Sequence, residues 1–472
     1  MVKTPRVPLV GSNGKDAKQR TAGYTFNAKG TIQEGHKQFK DQIFGVATAG
    51  GLKVEFPLRY IEEDLLIDYT YIGGIKEFAL TTFRREVNPK LQSFIPLFTD
   101  LIEEHISNTF GDGTGWKPVN MYPCMLRMLG ILTARVMVDD EAPHNQTWVT
   151  LTTEFVQSGV AYSHALKFWS SYLRPLICRF LSQHSEVQGQ LNDGRKILVD
   201  AIRKMRDREE NGVPEPQPAS VLYHMSRKAP GTSSAVIDMH LKEQMNLAVG
   251  AIHTTSSVLT QTIFELAAHT DYIPELRREA IDTLAKFDGV FSKAALSEMH
   301  KLDSFIQEAH RLNSPNLTSV QRLATQDVTL SDGTFLPKGT KLEFPAYAFH
   351  LDDDLHENAA QFDGFRFLRK RQQDGEGAGG KHHYVSVRKD VLGWGYGKNA
   401  CPGRFMADIE IKLVVAFVLM NYEIKNPDGQ GRYQNVHFEN QVFPATDPIL
   451  VRKIWSGDIG PDGRVMGMRE RP

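Results

Sequence analysis

Between residues 238 and 269 apolar side chains return at helical spacing along the whole stretch: Leu241, Met245, Ala248, Ile252, Leu259, Ile263 and Leu266. At about 1.5 Å per residue such a helix runs on the order of 48 Å, enough to cross a domain, so the rest of the chain has to pack around it. The plain reading is a core helix. The tract Gly250-Ala-Ile-His-Thr-Thr-Ser-Ser257 adds to that reading, because it sets a glycine, a histidine and four hydroxyl residues at mid-helix. Hydroxyl side chains there bond back to the carbonyls of the preceding turn and bend a helix, and a local break in a long core helix often marks a site.

Around this element the pattern is mostly helical. Segments 91–110, 120–137, 147–183, 191–210, 296–313 and 404–421 all carry apolar residues three and four apart. Residues 211–234, with prolines and small residues, predict a long surface loop, and 368–383, charged and glycine-rich, a mobile one. Strand-like pieces are few: Gly51–Phe56, then Asp327–Leu330 with a turn at Ser331-Asp-Gly333, then Lys341–Phe344, and a tail over 422–472 of strand and turn. The expected fold is mainly α with a small β lobe, a single domain over 1–472 with a poorly patterned segment at 1–23. The order lacks the β-α alternation of a doubly wound sheet, and neither a GxGxxG nor a GxxxxGK[ST] loop opens a helix.

Composition narrows the function. Lys+Arg (55) and Asp+Glu (56) nearly cancel, which excludes a global nucleic-acid footprint. Three cysteines, Cys124, Cys178 and Cys401, exclude a disulfide scaffold and favour a reducing compartment. The sequence holds no 18-residue apolar run and no secretory leader in its polar first 22 residues, so the sequons at Asn145 and Asn316 read as chance.

The most informative stretch is Val391-Leu-Gly-Trp-Gly-Tyr-Gly-Lys-Asn-Ala-Cys401-Pro-Gly-Arg-Phe405. Gly397 and Gly403 allow backbone that a Cβ forbids and close approach to a flat partner. Cys401 stands just before a helix whose positive end favours thiolate over thiol, Pro402 suits a first helical turn, and loop amides can point at the sulfur. Such a cysteine is a nucleophile, an axial metal ligand or an inert buried thiol. The loop offers no base for a nucleophile and no CxxC or HxxxH spacing for zinc, whereas an axial haem thiolate needs one cysteine and shape.

Trp394-Gly-Tyr-Gly-Lys-Asn-Ala-Cys-Pro-Gly-Arg-Phe405 resembles the haem-binding loop of the cytochrome P450 family, the haem-thiolate monooxygenases, whose pattern is Phe-x-x-Gly-x-x-x-Cys-x-Gly. Gly397, Cys401 and Gly403 match, and Trp394 replaces the phenylalanine. Glu308-Ala-His-Arg311 resembles the family's Glu-x-x-Arg helix, and Arg366 in Phe362-Asp-Gly-Phe-Arg-Phe367 resembles the arginine that completes a structural triad with that pair. The resemblance covers roughly 24–455 and implies the cytochrome P450 fold, haem b with Cys401 as its thiolate ligand, and cofactor contacts from Trp394, Gly397 and Gly403. It further implies propionate contacts from Arg322, with Arg84 and His350 as weaker matches, and Lys398 and Arg404 flanking the cysteine on a basic face.

On the long helix the resemblance aligns Gly250, Ala251, Ile252, His253, Thr254 and Thr255 with the small-Gly-x-acid-Thr pattern over the haem. Thr254 would hydrogen-bond the reacting dioxygen and order a water; His253 stands where the family has an acid and would relay protons. The implied reaction inserts one atom of O2 into a bulky apolar small molecule, a terpenoid or other secondary metabolite as in fungal members. Electrons would come from a separate NADPH-cytochrome reductase. Phe155, Val156, Leu247, Ala251, Pro315 and Phe443 are the expected apolar substrate contacts. A haem-thiolate isomerase or dehydratase needing no reductase, and a non-catalytic haem-binding protein suggested by the short stretch between Pro57 and Pro89, are the alternatives. Relatives usually begin with a membrane anchor. With such an anchor trimmed, the expected place is the cytoplasmic side of the endoplasmic reticulum, with a membrane-surface contact; otherwise it is the cytoplasm. No nucleic-acid partner is expected.

Overall fold

The computed structural model describes residue 10 and residues 17–38, 67–70, 77–170, 172–324, 326–331, 333–375 and 381–465. The strand-like Gly51–Phe56, the segment 57–66 and residues 1–9 lie outside them. The chain divides into two compact units, one of residues 1–60, 303–401 and 432–445, the other of 61–302, 402–431 and 446–472.

The second, larger unit is built on the long helix, Ser234–Ala268, which runs unbroken for 35 residues. Its hydroxyls do bond back one turn: Thr254 Oγ1 donates to the Gly250 carbonyl (2.7 Å), Ser256 to Ile252 (2.5 Å) and Thr260 to Ser256 (2.7 Å). The expected local break is thus absorbed without interrupting the helix. Helix Met121–Met137 crosses it, and helices Gln146–Lys167 and Ser182–Glu210 pack alongside. Two glycines permit the close approach. A Cβ on Gly130 would sit 2.8 Å from Thr153 Cγ2, and one on Gly194 would sit 2.7 Å from Leu241 Cδ1.

The helix predicted over 147–183 stops at Lys167 and resumes at Ser182, with only a short turn of helix between. The predicted loop 211–234 contains a helix, Val221–Lys228: Ser220 caps it, accepting from Tyr223 N (3.1 Å), and Val221, Leu222 and Met225 are buried. Each such burial contributes about 1.5–3 kcal/mol toward offsetting the cost of ordering the segment. Arg277, fully buried on helix Ile273–Lys286, donates to the carbonyls of Leu419, Tyr422 and Gly463 and to Glu423 Oε1 (2.7 Å). It thereby supplies the C-terminus of helix Arg404–Asn421 with the cation its unpaired carbonyls favour. That helix leads into Tyr422–Lys425, which pairs antiparallel with Pro448–Lys453, itself paired antiparallel with Lys117–Asn120.

The first unit holds helix Ala17–Gln38, most of helix His300–Leu312 and three two-stranded antiparallel sheets. Ser319–Leu323 pairs with Lys341–Phe344, Val328–Thr329 with Phe335–Leu336, and Val436–Phe438 with Gln441–Phe443. A small core of Ala28, Ile32, Leu317, Tyr347, Ala348 and Val442 joins the first helix to this β lobe. The charged stretch expected as a loop begins as a helix, Arg366–Asp374, which ends at Gly375 with φ +71°. Ser304 Oγ starts it, accepting from Phe367 N (3.1 Å) and Leu368 N (3.0 Å).

Candidate active site

In the first unit the site begins at Glu308 and Arg311, which are three apart on one helix and both fully buried. Arg311 meets the carboxylate with two donors, Nε to Oε2 (2.8 Å) and Nη2 to Oε1 (2.7 Å). Arg366 adds its Nε to both oxygens, at 3.1 and 3.2 Å, and the Asp363 amide donates to Oε1 (3.1 Å). The second guanidinium is then spent on carbonyls: Glu357, Asn358 and Gln361 accept from Arg366, and His350 accepts from Arg311. Two cations share one anion, and the excess charge is dispersed over backbone dipoles, as a buried ionic cluster requires.

His350 does a different job from the one expected of it. It is fully buried, its Nδ1 donates to the Arg311 carbonyl (3.2 Å), and its Nε2 accepts from the Leu392 amide (2.8 Å). Both ring nitrogens are used, so none is left for a propionate. Burial and the neighbouring Arg311 push its pKa down to about 3. The ring instead ties the Glu308 helix to the start of the cysteine loop.

The loop itself is closed by its own amides: Gly395 donates to Leu392 (2.9 Å), Ala400 to Gly397 (3.1 Å) and Cys401 to Trp394 (2.8 Å). Gly395 and Gly397 have φ near +70°, and a Cβ on Gly397 would meet nothing within 4 Å, so that side of the loop is open. Gly403 has φ −85°, so the left-handed conformation expected of it is not what it adopts. The helix starts at Arg404 with Gly403 as its N-cap, which moves Pro402 out of the first turn. Of the three cysteines, Cys124 and Cys178 are buried and burial pushes the Cys124 thiol up to about 12, whereas Cys401 is only half-buried. Lys398 is exposed and Arg404 stacks over Phe405 at 4.4 Å.

Residues that the motifs left unnamed brace this loop. His310 lies edge-on to Trp394 (ring centroids 5.2 Å) and its Nδ1 is bonded to the Tyr384 hydroxyl (3.0 Å). Trp394 Nε1 donates to the Tyr384 carbonyl (2.7 Å). Asp303 Oδ2 accepts from the Tyr384 amide (3.0 Å) and from Arg371 (2.9 Å). The only sequence signal for His310 was its place inside Glu-x-x-Arg; Tyr384 gave none. Arg322 is half-exposed on Ser319–Leu323, and its only partner among the described residues is the carbonyl of Gln321 (2.7 Å). The remaining fork suits a carboxylate. The Val442 amide donates to the Pro315 carbonyl (2.8 Å), which brings Pro315 beside the strand of Phe443, itself 36% exposed.

In the second unit Gly250 and Thr254 are exposed and Val249 and Ala251 half-exposed, while Ile237, Leu241, Met245 and the run Thr255–Ala267 of the same helix are buried. A mid-helix strip of small residues is therefore left bare, as a flat apolar group lying on the helix would need. His253 is turned out of this strip. Its ring donates to the Thr153 carbonyl, burial pushes its pKa down to about 4, and its Nε2 is buried with no partner among the described residues. Leu247 is buried and offers little surface to a substrate. Phe155 is fully buried and offers no wall to a substrate; the next residue, Val156, keeps exposed surface. Arg84 is exposed on the turn Phe83–Val87 and makes no ion pair among the described residues. Among the described residues no cluster of His, Cys, Asp or Glu could hold a metal ion by itself, and no helix is long and apolar enough to cross a membrane.

Comparison with known proteins shows the family and the fold. The cytochrome P450 family model matches residues 75–450. The cytochrome P450 monooxygenase olcJ of Penicillium canescens is 32% identical over 94% of this chain and 86% of its own length. The cytochrome P450 monooxygenase braC of Annulohypoxylon truncatum is 29% identical over 95% and 93%, and ent-kaurene oxidase P450-4 of Gibberella fujikuroi is 30% identical over 89% and 87%. Among solved structures, the retinoic acid-bound cyanobacterial CYP120A1 superposes with a TM-score of 0.69 at 18% identity, covering 96% of this chain and all of that one. With a glycine loop closed on a half-buried cysteine and a family match over most of its length, the chain belongs to the cytochrome P450 family of haem-thiolate monooxygenases.

Proposed function

We propose that Cys401 is the thiolate ligand of a haem b, and that the protein inserts one atom of O2 into a bulky apolar small molecule of the terpenoid or related secondary-metabolite class. Electrons come from a separate NADPH-dependent reductase. The observation that carries this reading is the Cys401 loop: its amide bond to the Trp394 carbonyl, the open side at Gly397 and the brace of His310 and Tyr384 hold one half-buried sulfur in a glycine loop. The relatives named for ent-kaurene oxidation support the substrate class.

When bound, haem supplies the activation of dioxygen, with electron release from the thiolate favouring O–O cleavage. The chain supplies the rest. Arg322 offers its guanidinium fork to a propionate. In the second unit Gly250 and Ala251 leave room beside the helix and Val156 keeps apolar surface; in the first unit Pro315 and Phe443 keep apolar surface. Thr254, whose hydroxyl donates to the Gly250 carbonyl at rest, keeps lone pairs to accept a bond from an ordered water and so to hold a proton beside the reacting oxygen.

A membrane surface belongs to the same reading. The segment between the two helices Gln146–Lys167 and Ser182–Glu210 exposes Phe168 (90%), Tyr172 (90%) and Phe180 (85%), with Leu176 at 67%. It also carries Lys167, Arg174 and Arg179 and no acidic residue. Exposed aromatic rings with cations and no anions suit the headgroup layer of an anionic bilayer.

The test is the carbon monoxide difference spectrum of the reduced protein, followed by turnover of a diterpene hydrocarbon with reductase and NADPH. A red-shifted thiolate-type Soret band that Cys401→Ala abolishes, and hydroxylated product that requires NADPH, are expected. A folded protein without that band, or product formed without NADPH, overturns the reading.

A further inference from the structure

Where the family pattern has a phenylalanine this chain has Trp394, and an indole carries a ring N–H that a phenyl ring lacks. Indole donors inside a fold usually find an acceptor, and Trp394 Nε1 finds the Tyr384 carbonyl (2.7 Å). Two further rings enclose the indole. Tyr384 lies against it with centroids 5.0 Å apart and planes at 55°, and His310 meets it edge-on at 5.2 Å and 84°. Those two rings also meet each other, at 5.8 Å and 69°, and they share the bond between His310 Nδ1 and the Tyr384 hydroxyl (3.0 Å). Every pair in the trio is in contact, and two of the three contacts carry a hydrogen bond as well.

The trio is fixed from behind. The Tyr384 amide donates to Asp303 Oδ2 (3.0 Å), which also accepts from Arg371 Nη2 (2.9 Å). His310 has no room to retreat toward the loop, because a Cβ on Gly393 would already stand 2.8 Å from its Cε1. What the trio fixes in turn is the Trp394 backbone, whose carbonyl accepts from the Cys401 amide (2.8 Å). Asp303, Tyr384, Trp394 and Cys401 are thus joined by three hydrogen bonds in series, with Tyr384 only 2% exposed in the middle. An indole touched by two rings and bonded at its nitrogen has little rotational freedom, and the carbonyl of the same residue inherits that restriction.

We propose that Tyr384 and His310 are positioning residues for the Cys401 thiolate: through Trp394 they hold the cysteine amide, and with it the sulfur, in the place where it ligates. The proposal rests on the haem-thiolate reading. Both residues act through Trp394 rather than on the sulfur, so the Tyr384 hydroxyl, an atom remote from the loop backbone, governs how firmly the cysteine is held.

Trp394→Phe and Tyr384→Phe test it, since each deletes one polar atom and keeps a ring. Hydrogen exchange at the Cys401 amide of the purified protein is expected to be about tenfold faster in both, the size expected for one lost hydrogen bond, with exchange in the core helices unchanged. In the reduced carbon monoxide complex, the thiolate-type Soret band should convert about tenfold faster to the thiol-type form, at urea concentrations where circular dichroism shows the fold intact. Adding His310→Leu to Tyr384→Phe removes both ends of the buried bond, so the double variant should be no worse than Tyr384→Phe alone. Additive losses would show that the two rings act apart and would overturn the proposal. Cys401 exchange unchanged in Tyr384→Phe, or a band lost only together with the fold, overturns it as well, because the trio is then ordinary packing. A folded parent protein that lacks the thiolate-type band counts instead against the haem-thiolate reading, and exchange at Cys401 then decides the positioning by itself.

Discussion

Arg366 donates its Nε to both carboxylate oxygens of Glu308, at 3.1 and 3.2 Å, across 58 residues of chain. Glu308 is the only acid in a cluster with Arg311 and Arg366, so the two partners are not equivalent. Glu308→Ala strands two buried guanidinium groups, and removing one partner of a buried ion pair costs about 3–5 kcal/mol. Arg366→Ala leaves Glu308 paired with Arg311 and strands only the carbonyls of Glu357, Asn358 and Gln361, near the surface. Denaturant unfolding should therefore rank Glu308→Ala as clearly the more damaging. The reverse order would mean that the carbonyl contacts, not the ion pair, hold this junction.

The first unit is built to lose stability in acid. His310, His350 and His356 are held neutral, with pKa values pushed down by burial to about 4, 3 and 4. A histidine whose folded pKa lies below its unfolded value of about 6.5 contributes stability that is fully present above pH 6.5 and is lost as the pH falls toward the folded value. At pH 5 the fully buried His310 and His350 each forfeit about 2 kcal/mol. The unfolding midpoint in urea should drop steadily between pH 7 and pH 5, with release of haem following it. A flat profile over that window would show that these rings gain protons without cost.

A methyl group on Gly393 should loosen the cysteine loop. A Cβ there would lie 2.8 Å from His310 Cε1 and 2.9 Å from Nε2. The ring has little freedom to move away, since Tyr384 holds its Nδ1 and Trp394 meets it edge-on. Overpacking of this kind costs about 1–3 kcal/mol. Gly393→Ala should bind haem less tightly and convert part of the carbon monoxide spectrum to the form that lacks thiolate ligation. Gly397→Ala meets no atoms, but its φ of +71° strains any side chain, so it should be milder unless the cofactor lies against it.

What was legible in the sequence was what a short stretch decides by itself. The cysteine loop, the helix after it and the three-residue spacing of Glu308 and Arg311 are local, and the family resemblance rests on them. The role of His350 was not legible, because its two partners lie 39 and 42 residues away, and a buried histidine bonded at both nitrogens looks like any other histidine in a string of letters. The helix Arg366–Asp374 read as a loop for the same reason: the hydroxyl that starts it, Ser304, is 63 residues upstream. Phe155 and Val156 differ only in the rotation of their helix, which packing against the neighbouring helices sets. Gly403 shows the converse error, a glycine read as conformationally special whose φ is ordinary.

The exposed rings of Phe168, Tyr172 and Phe180 give the membrane reading a quantitative form. An aromatic side chain buries on the order of 150–250 Å² when fully covered. At about 25 cal/mol per Å², half-burial of each ring in a lipid layer contributes about 2 kcal/mol. Replacing all three by serine should therefore weaken binding to vesicles by at least about 100-fold, even though some apolar surface remains at Leu173 and Leu176. The fold should tolerate the change, because these side chains are 85–90% exposed and support no core. Charge reversal at Lys167, Arg174 and Arg179 should act differently: it should abolish the preference for anionic over neutral vesicles and remove the salt dependence, leaving the apolar part of binding in place. Sedimentation with vesicles of defined composition separates the two effects. If the serine variant binds vesicles as well as the parent but no longer self-associates in their absence, the rings serve contacts between copies of the chain and the membrane reading of this segment fails.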